Sequence, residues 1–114
     1  MINTTTSADL ATLLEAIEKG TVLSSSSSAE MREVLLAQEF NEKIPAGLPP
    51  GTKVAHKTGE ITAVSHDAAV VYPPSRKPYV LVVLTKGIRD SKASSALIAN
   101  ISRMIWNHAT SSRR

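Results

Sequence analysis

The sequence predicts an α+β fold in which two helices precede a three-stranded antiparallel meander and a C-terminal helix packs on the sheet. Three observations support this order. Apolar residues recur at helical spacing within residues 8–40, apolar runs separated by turn residues fill 52–87, and a second helical stripe occupies 90–110. The 114 residues are 42% hydrophobic, which suits a single domain with a modest core over residues 1–114.

The first helix is predicted over residues 8–19. Hydroxyl side chains at residues 4–7 can cap its first turn. Gly20 then offers a stop, because glycine adopts the left-handed conformation that ends many helices. Four apolar residues recur on one face at the spacing of three and four that a helix requires: Leu10, Leu13, Leu14 and Ile17.

A second helix is predicted after the serine run at residues 24–28. Ser27 and Glu30 have the spacing of a capping box, in which each side chain satisfies a free backbone N–H of the other residue. We expect this helix to end near Phe40. Its inner face is predicted from four residues: Met31, Val34, Leu35 and Gln38.

Prolines at 45, 49 and 50 and glycines at 47 and 51 follow, so the sequence argues against a helix within residues 44–52 and predicts a tight connector there. The connector leads into a strand that carries Lys57 and can continue to Thr62. Reversals are predicted at 63–65 and 73–78. The connections are short, so the strands form a meander.

The second and third strands, predicted at 67–72 and 79–85, are mostly apolar and suit burial on both faces. Gly87 closes the last strand and Asp90 caps the final helix. Trp106 lies beside the apolar stripe of that helix. The stripe, which we expect to face the sheet, consists of Leu97, Ile98, Ile101, Met104, Ile105 and His108.

Composition disfavours several classes of function. The net charge is +3, but the basic residues are scattered and the aromatic residues are one Trp, two Tyr and one Phe, so a nucleic-acid surface is not predicted. The lack of cysteine excludes disulfides and thiolate chemistry, yet leaves the compartment open. The histidines at 56, 66 and 108 lack ligand spacing, so neither a metal nor another cofactor is predicted. Since no apolar run approaches about 20 residues, no membrane partner is expected.

The motif Lys57-Thr58-Gly59 offers a direct chemical use. An ammonium and a hydroxyl can hold a carboxylate, and a residue without Cβ lets a ligand backbone lie against the strand. The motif therefore predicts an edge at which an acyl substrate docks. Neighbouring strand residues point to opposite faces, however, so Lys57 and Thr58 can both reach one ligand only if this edge strand twists or bends.

Three longer runs extend the motif: residues 47–61, 66–74 and 79–87. Together with the helical segment before them, they resemble the C-terminal half of the class A β-lactamase-type serine hydrolases. The resemblance implies the β-lactamase/transpeptidase-like fold and a parent protein that is periplasmic or secreted. It also implies that Lys57, Thr58 and Gly59 dock the substrate and that the backbone N–H of Glu60 contributes to the oxyanion hole.

The other family motifs are missing from these 114 residues. No serine has a lysine three positions later, no Ser-x-Asn or Tyr-x-Asn occurs, and no Glu stands four positions before an Asn. An acyl-enzyme requires an activated nucleophile, so we expect this chain alone to be inactive. A β-lactam or related acyl substrate is expected only when an N-terminal half completes the site. An engineered or proteolytic fragment, a split protein and a truncated reading frame all fit this prediction.

The adjacent pair His66-Asp67 suggests a Ser-His-Asp triad with one of the many serines. Side chains of neighbouring strand residues diverge, which argues against this pairing. We instead expect Asp67 to anchor a turn or neighbouring backbone, and His66 to be half exposed.

A non-catalytic role is the alternative. In the family that the chain resembles, N-terminal strands flank the last strand, so residues 79–85 are expected to present an unpaired apolar edge here. Such an edge can recruit another chain. The alternative therefore predicts a self-associating or binding module, with a homodimer or domain-swapped oligomer that closes the edge.

Overall fold

The computed structural model describes residues 4–111 and confirms the α+β architecture. Its elements follow the predicted order, with one additional short helix. The three strands form one antiparallel sheet in the order β1-β2-β3. The elements are α1 (Ser7–Lys19), α2 (Ser25–Leu36), a 3₁₀ helix (Ile44–Gly47), β1 (Lys53–Ile61), β2 (Val64–Tyr72), β3 (Tyr79–Lys86) and α3 (Ser91–Ala109).

The sheet has a helical layer on each face. On one face, α3 and the 3₁₀ helix cover a core that includes Val54, Val71 and Ile98. On the other face, α1 and α2 cover a core that includes Leu14 and Ala55. The alternation of β1 side chains therefore decides which layer each residue meets.

The first helix forms close to its predicted bounds, but Leu13, which was assigned to its apolar face, is 50% exposed. Thr6 is its N-cap, and the Thr6 hydroxyl accepts a hydrogen bond from the backbone N–H of Asp9. Gly20 ends the helix with φ of 74°, the left-handed conformation that glycine adopts without strain. Local capping signals were sufficient to define this element.

The second helix differs from its prediction at both ends. Its N-cap is Ser24, whose hydroxyl accepts from the backbone N–H of Ser27, so the predicted capping box at Ser27 was wrong. The helix ends at Leu36, four residues before Phe40. Val34 is 64% exposed, while Leu35 and Leu36 pack against the core. The N-cap is thus the first serine of the run, Ser24, and the helix begins directly after it.

The connector holds one turn of 3₁₀ helix, although the sequence argued against any helix in it. Proline is tolerated there because Pro45 lies in the first turn, where backbone N–H groups need no helical partner.

The reversal predicted at residues 63–65 is shorter than expected. Since β1 ends at Ile61 and β2 begins at Val64, only two residues connect them.

The last helix packs on the sheet and the 3₁₀ helix, but not through its predicted stripe. Leu97 and Met104 are 42% and 69% exposed. The buried residues of α3 are mostly small: Ser94, Ile98, Ala99 and Ser102. The Ser102 hydroxyl donates to the carbonyl of Ile44 at 2.8 Å, which joins α3 to the 3₁₀ helix. Within the predicted stripe, Ile98 is buried and Ile101 is partly buried, whereas the assignment of the exposed residues Leu97, Met104, Ile105 and His108 to the packed face was wrong.

Tyr79, at the start of β3, has a buried hydroxyl without a hydrogen-bond partner among residues 4–111. Burial raises the pKa of Tyr79 to about 12, from an ordinary value near 10. The fold therefore favours the protonated phenol. The resulting stability is complete below about pH 10 and is lost as the pH rises through about 12.

We expect the free energy of unfolding of Tyr79→Phe to decrease less between about pH 10 and 12 than that of the unmodified chain. At pH 7 it should be unchanged or slightly higher. Urea unfolding at several pH values measures both effects. Tyr72→Phe is the matched variant, because the Tyr72 hydroxyl donates to Glu18 Oε1 at 2.6 Å. Losing that bond should cost about 1 kcal/mol at pH 7. An equal cost for Tyr79→Phe would contradict the prediction.

Candidate functional site

The Lys-Thr-Gly motif lies on β1, an edge strand of the sheet. Pairing of β1 with β2 continues without interruption from Lys53 opposite Tyr72 to Ile61 opposite Val64. The strand has no bulge that would turn the side chains, so Lys57 and Gly59 share the face of α1 and α2 while Thr58 and Glu60 share the face of α3. The four predicted substrate-binding residues are thus adjacent along an edge, but are divided between its two faces.

The edge is open at the motif. The side chain of Lys57 is exposed, and its ammonium donates to the carbonyl of Thr58 at 2.6 Å. A Cβ placed on Gly59 would meet no atom within 4 Å. Glycine is therefore not required here by any contact within the described part of the chain.

A groove of about 630 Å³ opens on the α3 face of the same strand. We refer to it as the β1–α3 groove. Thr58 and Glu60 of β1 line it together with residues of the N-terminal half of α3. Its lining includes Phe40, Lys43, Thr58, Glu60, Ser91 and Ser95.

Lys43 is a buried cation at this groove and was not predicted from the sequence. Its side chain is 5% exposed. The ammonium donates to the carbonyls of Gly59 at 3.4 Å and His66 at 3.3 Å, which belong to opposite residues of β1 and β2. Its counter-charge is Glu60, with 3.4 Å between Lys43 Nζ and Glu60 Oε1. Lys43 therefore contacts the backbone of the motif at Gly59 and the side chain of Glu60, the residue that follows the motif.

A buried polar network lies directly beside Lys43. The Asp67 carboxylate accepts from the backbone N–H of Ile44 at 2.9 Å and from His56 Nδ1 at 3.0 Å. The other ring nitrogen, Nε2, lies 3.2 Å from Asn41 Oδ1. Asp67 and His56 are 0% and 1% exposed. The network joins β1, β2 and the connector.

This geometry contradicts a His66-Asp67 triad. His66 points to the opposite face of β2, where its Nδ1 accepts from the backbone N–H of Thr85 at 3.3 Å. The histidine partner of Asp67 is His56, which the sequence analysis did not assign. Asp67 anchors neighbouring backbone, at Ile44, in the way that we expected.

No helix within residues 4–111 combines the length and apolar character needed to cross a bilayer. In the same range, no three His, Asp or Glu side chains are grouped as metal ligands.

Comparison with known proteins gives one consistent family. A family model described as "Beta-lactamase enzyme family" matches residues 1–109. The chain is 37% identical over 106 residues to β-lactamase AST-1 of Nocardia asteroides, a match that covers 90% of this chain and 34% of the relative. It is 33% identical over 105 residues to a β-lactamase of Bacillus amyloliquefaciens, again covering 90% of this chain and 34% of the relative.

Solved structures agree with the sequence relatives. The structure of PBP-A matches with a TM-score of 0.87 and 37% identity, over 93% of this chain and 40% of PBP-A. An ancestral class A β-lactamase of Gram-negative bacteria matches with a TM-score of 0.83 and 34% identity, over 91% of this chain and 41% of that protein. The chain thus spans 34–41% of the length of these relatives, and it belongs to the β-lactamase enzyme family.

Proposed function

We propose that this chain supplies the substrate-docking edge of a β-lactamase-type serine hydrolase. The observation that carries the proposal is the open edge at Lys57-Thr58-Gly59. The Lys57 ammonium on one face of β1 and the Thr58 hydroxyl on the other flank an open edge, along which an acyl ligand can lie without meeting a side chain at Gly59. The backbone N–H of Glu60 is assigned as one donor of an oxyanion hole.

Catalysis is assigned to residues outside these 114. The chain has no Ser-x-x-Lys sequence, and acyl transfer in this family begins at the serine of that motif. A mutant of PBP-A has been solved as an acyl-enzyme complex with penicillin G, which supports a β-lactam as the ligand class. By itself, the chain is expected to dock such ligands weakly and to leave them unhydrolysed.

Lys57→Met tests the docking role. A titration of the ¹⁵N-labelled chain with millimolar penicillin G should shift the amide resonances of residues 57–60, and Lys57→Met should remove most of that shift because the ammonium no longer pairs with the ligand carboxylate. The matched control is Lys53→Met, an exposed lysine on the same face of the same strand. Stability should change little in either variant. Equal shifts in the two variants would overturn the docking role.

Inactivity is tested separately, with a chromogenic cephalosporin and intact-mass spectrometry after incubation with penicillin G. We expect neither turnover nor a covalent adduct from pure chain. A drug adduct on any serine of this chain would refute the assignment of the nucleophile to another segment.

Self-association is a second candidate, favoured by the exposure of β3. Within residues 4–111, β3 pairs only with β2, and its apolar side chains are half buried rather than buried. Pairing of β3 with β3 of a second copy would satisfy the free β3 edge of each copy. Light scattering at micromolar concentration tests this candidate. A dimer supports this candidate, whereas a monodisperse monomer excludes it.

A further inference from the structure

The segment of residues 41–44 is fixed to the sheet at three points. Asn41 Oδ1 lies within hydrogen-bond distance of His56 Nε2. The backbone N–H of Ile44 donates to the Asp67 carboxylate, and the ammonium of Lys43 donates to the carbonyl of Gly59. Two of these contacts depend on the buried His56–Asp67 pair. The segment therefore lies across both strands at the level of the docking motif.

Lys43 needs this support because its ammonium is removed from water. A buried cation is stable only where fixed acceptors surround it. Its three polar neighbours are the carbonyls of Gly59 and His66 and the carboxylate of Glu60, at 3.3 to 3.4 Å. Displacement of residues 41–44 would withdraw the ammonium from all three groups, two of which belong to the docking strand.

We infer that His56 is a positioning residue for the docking strand. Through Asp67 and Asn41 it holds residues 41–44 so that Lys43 fixes the backbone at Gly59 and the side chain of Glu60. The inference rests on the proposed function, because it assigns His56 to the strand that docks the acyl ligand. His56 does not touch that ligand, since the imidazole is 1% exposed and both of its nitrogens face protein groups.

Amide hydrogen exchange in the chain tests this role through two variants, His56→Gln and the milder Asn41→Ala. Either should accelerate exchange of the β1 amides in residues 57–61 relative to those of β3. The loss of about one hydrogen bond corresponds to roughly fivefold faster local opening. Asn41→Ala keeps the experiment decisive if His56→Gln does not fold, because Asn41 is exposed.

Two controls separate positioning from general stability. Val71→Ala removes methyl groups from the same buried face, and it should accelerate exchange in β1 and β3 equally. Asn100→Ala removes an exposed amide from α3 and should affect neither strand. If Asn41→Ala and Val71→Ala give the same ratio of β1 to β3 exchange, the inference is wrong.

The penicillin G titration supplies a second readout. The two variants are compared under conditions in which their free energies of unfolding are equal. Asn41→Ala should then reduce the ligand-induced shifts of residues 57–60, and Val71→Ala should preserve them. Absence of shifts in the unmodified chain would count against the proposed function alone, because the exchange ratio still decides whether His56 positions the strand.

Discussion

Gly47→Ala is expected to destabilise the protein by on the order of 3 kcal/mol or more, as overpacking does in a site that cannot relax. A Cβ at Gly47 would lie 2.0 Å from the carbonyl oxygen of Ala99 and 2.9 Å from the backbone nitrogen of Arg103. Both are backbone atoms of α3, so the contact cannot be relieved by a rotamer change. The 3₁₀ helix and α3 would have to separate, which opens the core around Ile44 and Ile98.

Gly59→Ala is the matched control, because a Cβ there would meet nothing within 4 Å. Alanine costs less backbone entropy than glycine in a strand, so this variant should be neutral or more stable by less than about 1 kcal/mol. Urea unfolding followed by circular dichroism measures both variants. Similar midpoints for the two would show that α3 can move away from position 47 without cost.

The elements that the sequence predicted well have local signals. Thr6 and Gly20 define the ends of α1 without any tertiary contact. The strands are bounded by turn residues, and they pair in chain order because two short connections leave no other arrangement. Short-range chemistry was therefore enough for the architecture.

The packed face of α3 could not be predicted because its determinant is distant in sequence. Hydropathy selects the larger apolar residues, such as Leu97 and Met104, yet these are exposed. The close approach of Gly47 instead requires small side chains such as Ala99 and Ser102 against the 3₁₀ helix. Hydrophobic periodicity locates an apolar stripe on a helix. It does not show where a neighbouring element lies so close that only small side chains fit.

The motif Lys57-Thr58-Gly59 was evident from the sequence, whereas the network behind it was not. Asp67 lies opposite Thr58 in the observed register, so His56, two residues earlier on β1, is its diagonal neighbour on the same face. That relationship exists only once the register of β1 and β2 is known. Lys43 was missed for the same reason, since it lies just before the connector and reaches β1 only in the folded chain.

Asp67→Ala is expected to cost on the order of 3–5 kcal/mol, because it removes one partner of a buried polar pair. The carboxylate is 0% exposed and accepts from two groups, the N–H of Ile44 and the ring of His56. Truncation leaves both donors buried without an acceptor. Asp67→Asn should cost less, because its amide oxygen can still accept from Ile44.

Asp90→Ala provides the scale for this loss. Asp90 is exposed, and its carboxylate caps α3 by accepting from the backbone N–H groups of Lys92 and Ala93. Loss of such a cap costs about 1 kcal/mol. The same atoms are removed at both positions, so any difference between the unfolding midpoints reports burial and the groups left unpaired. If the two midpoints coincide, water reaches Ile44 and His56 after truncation, and the network does not hold residues 41–44 to the sheet.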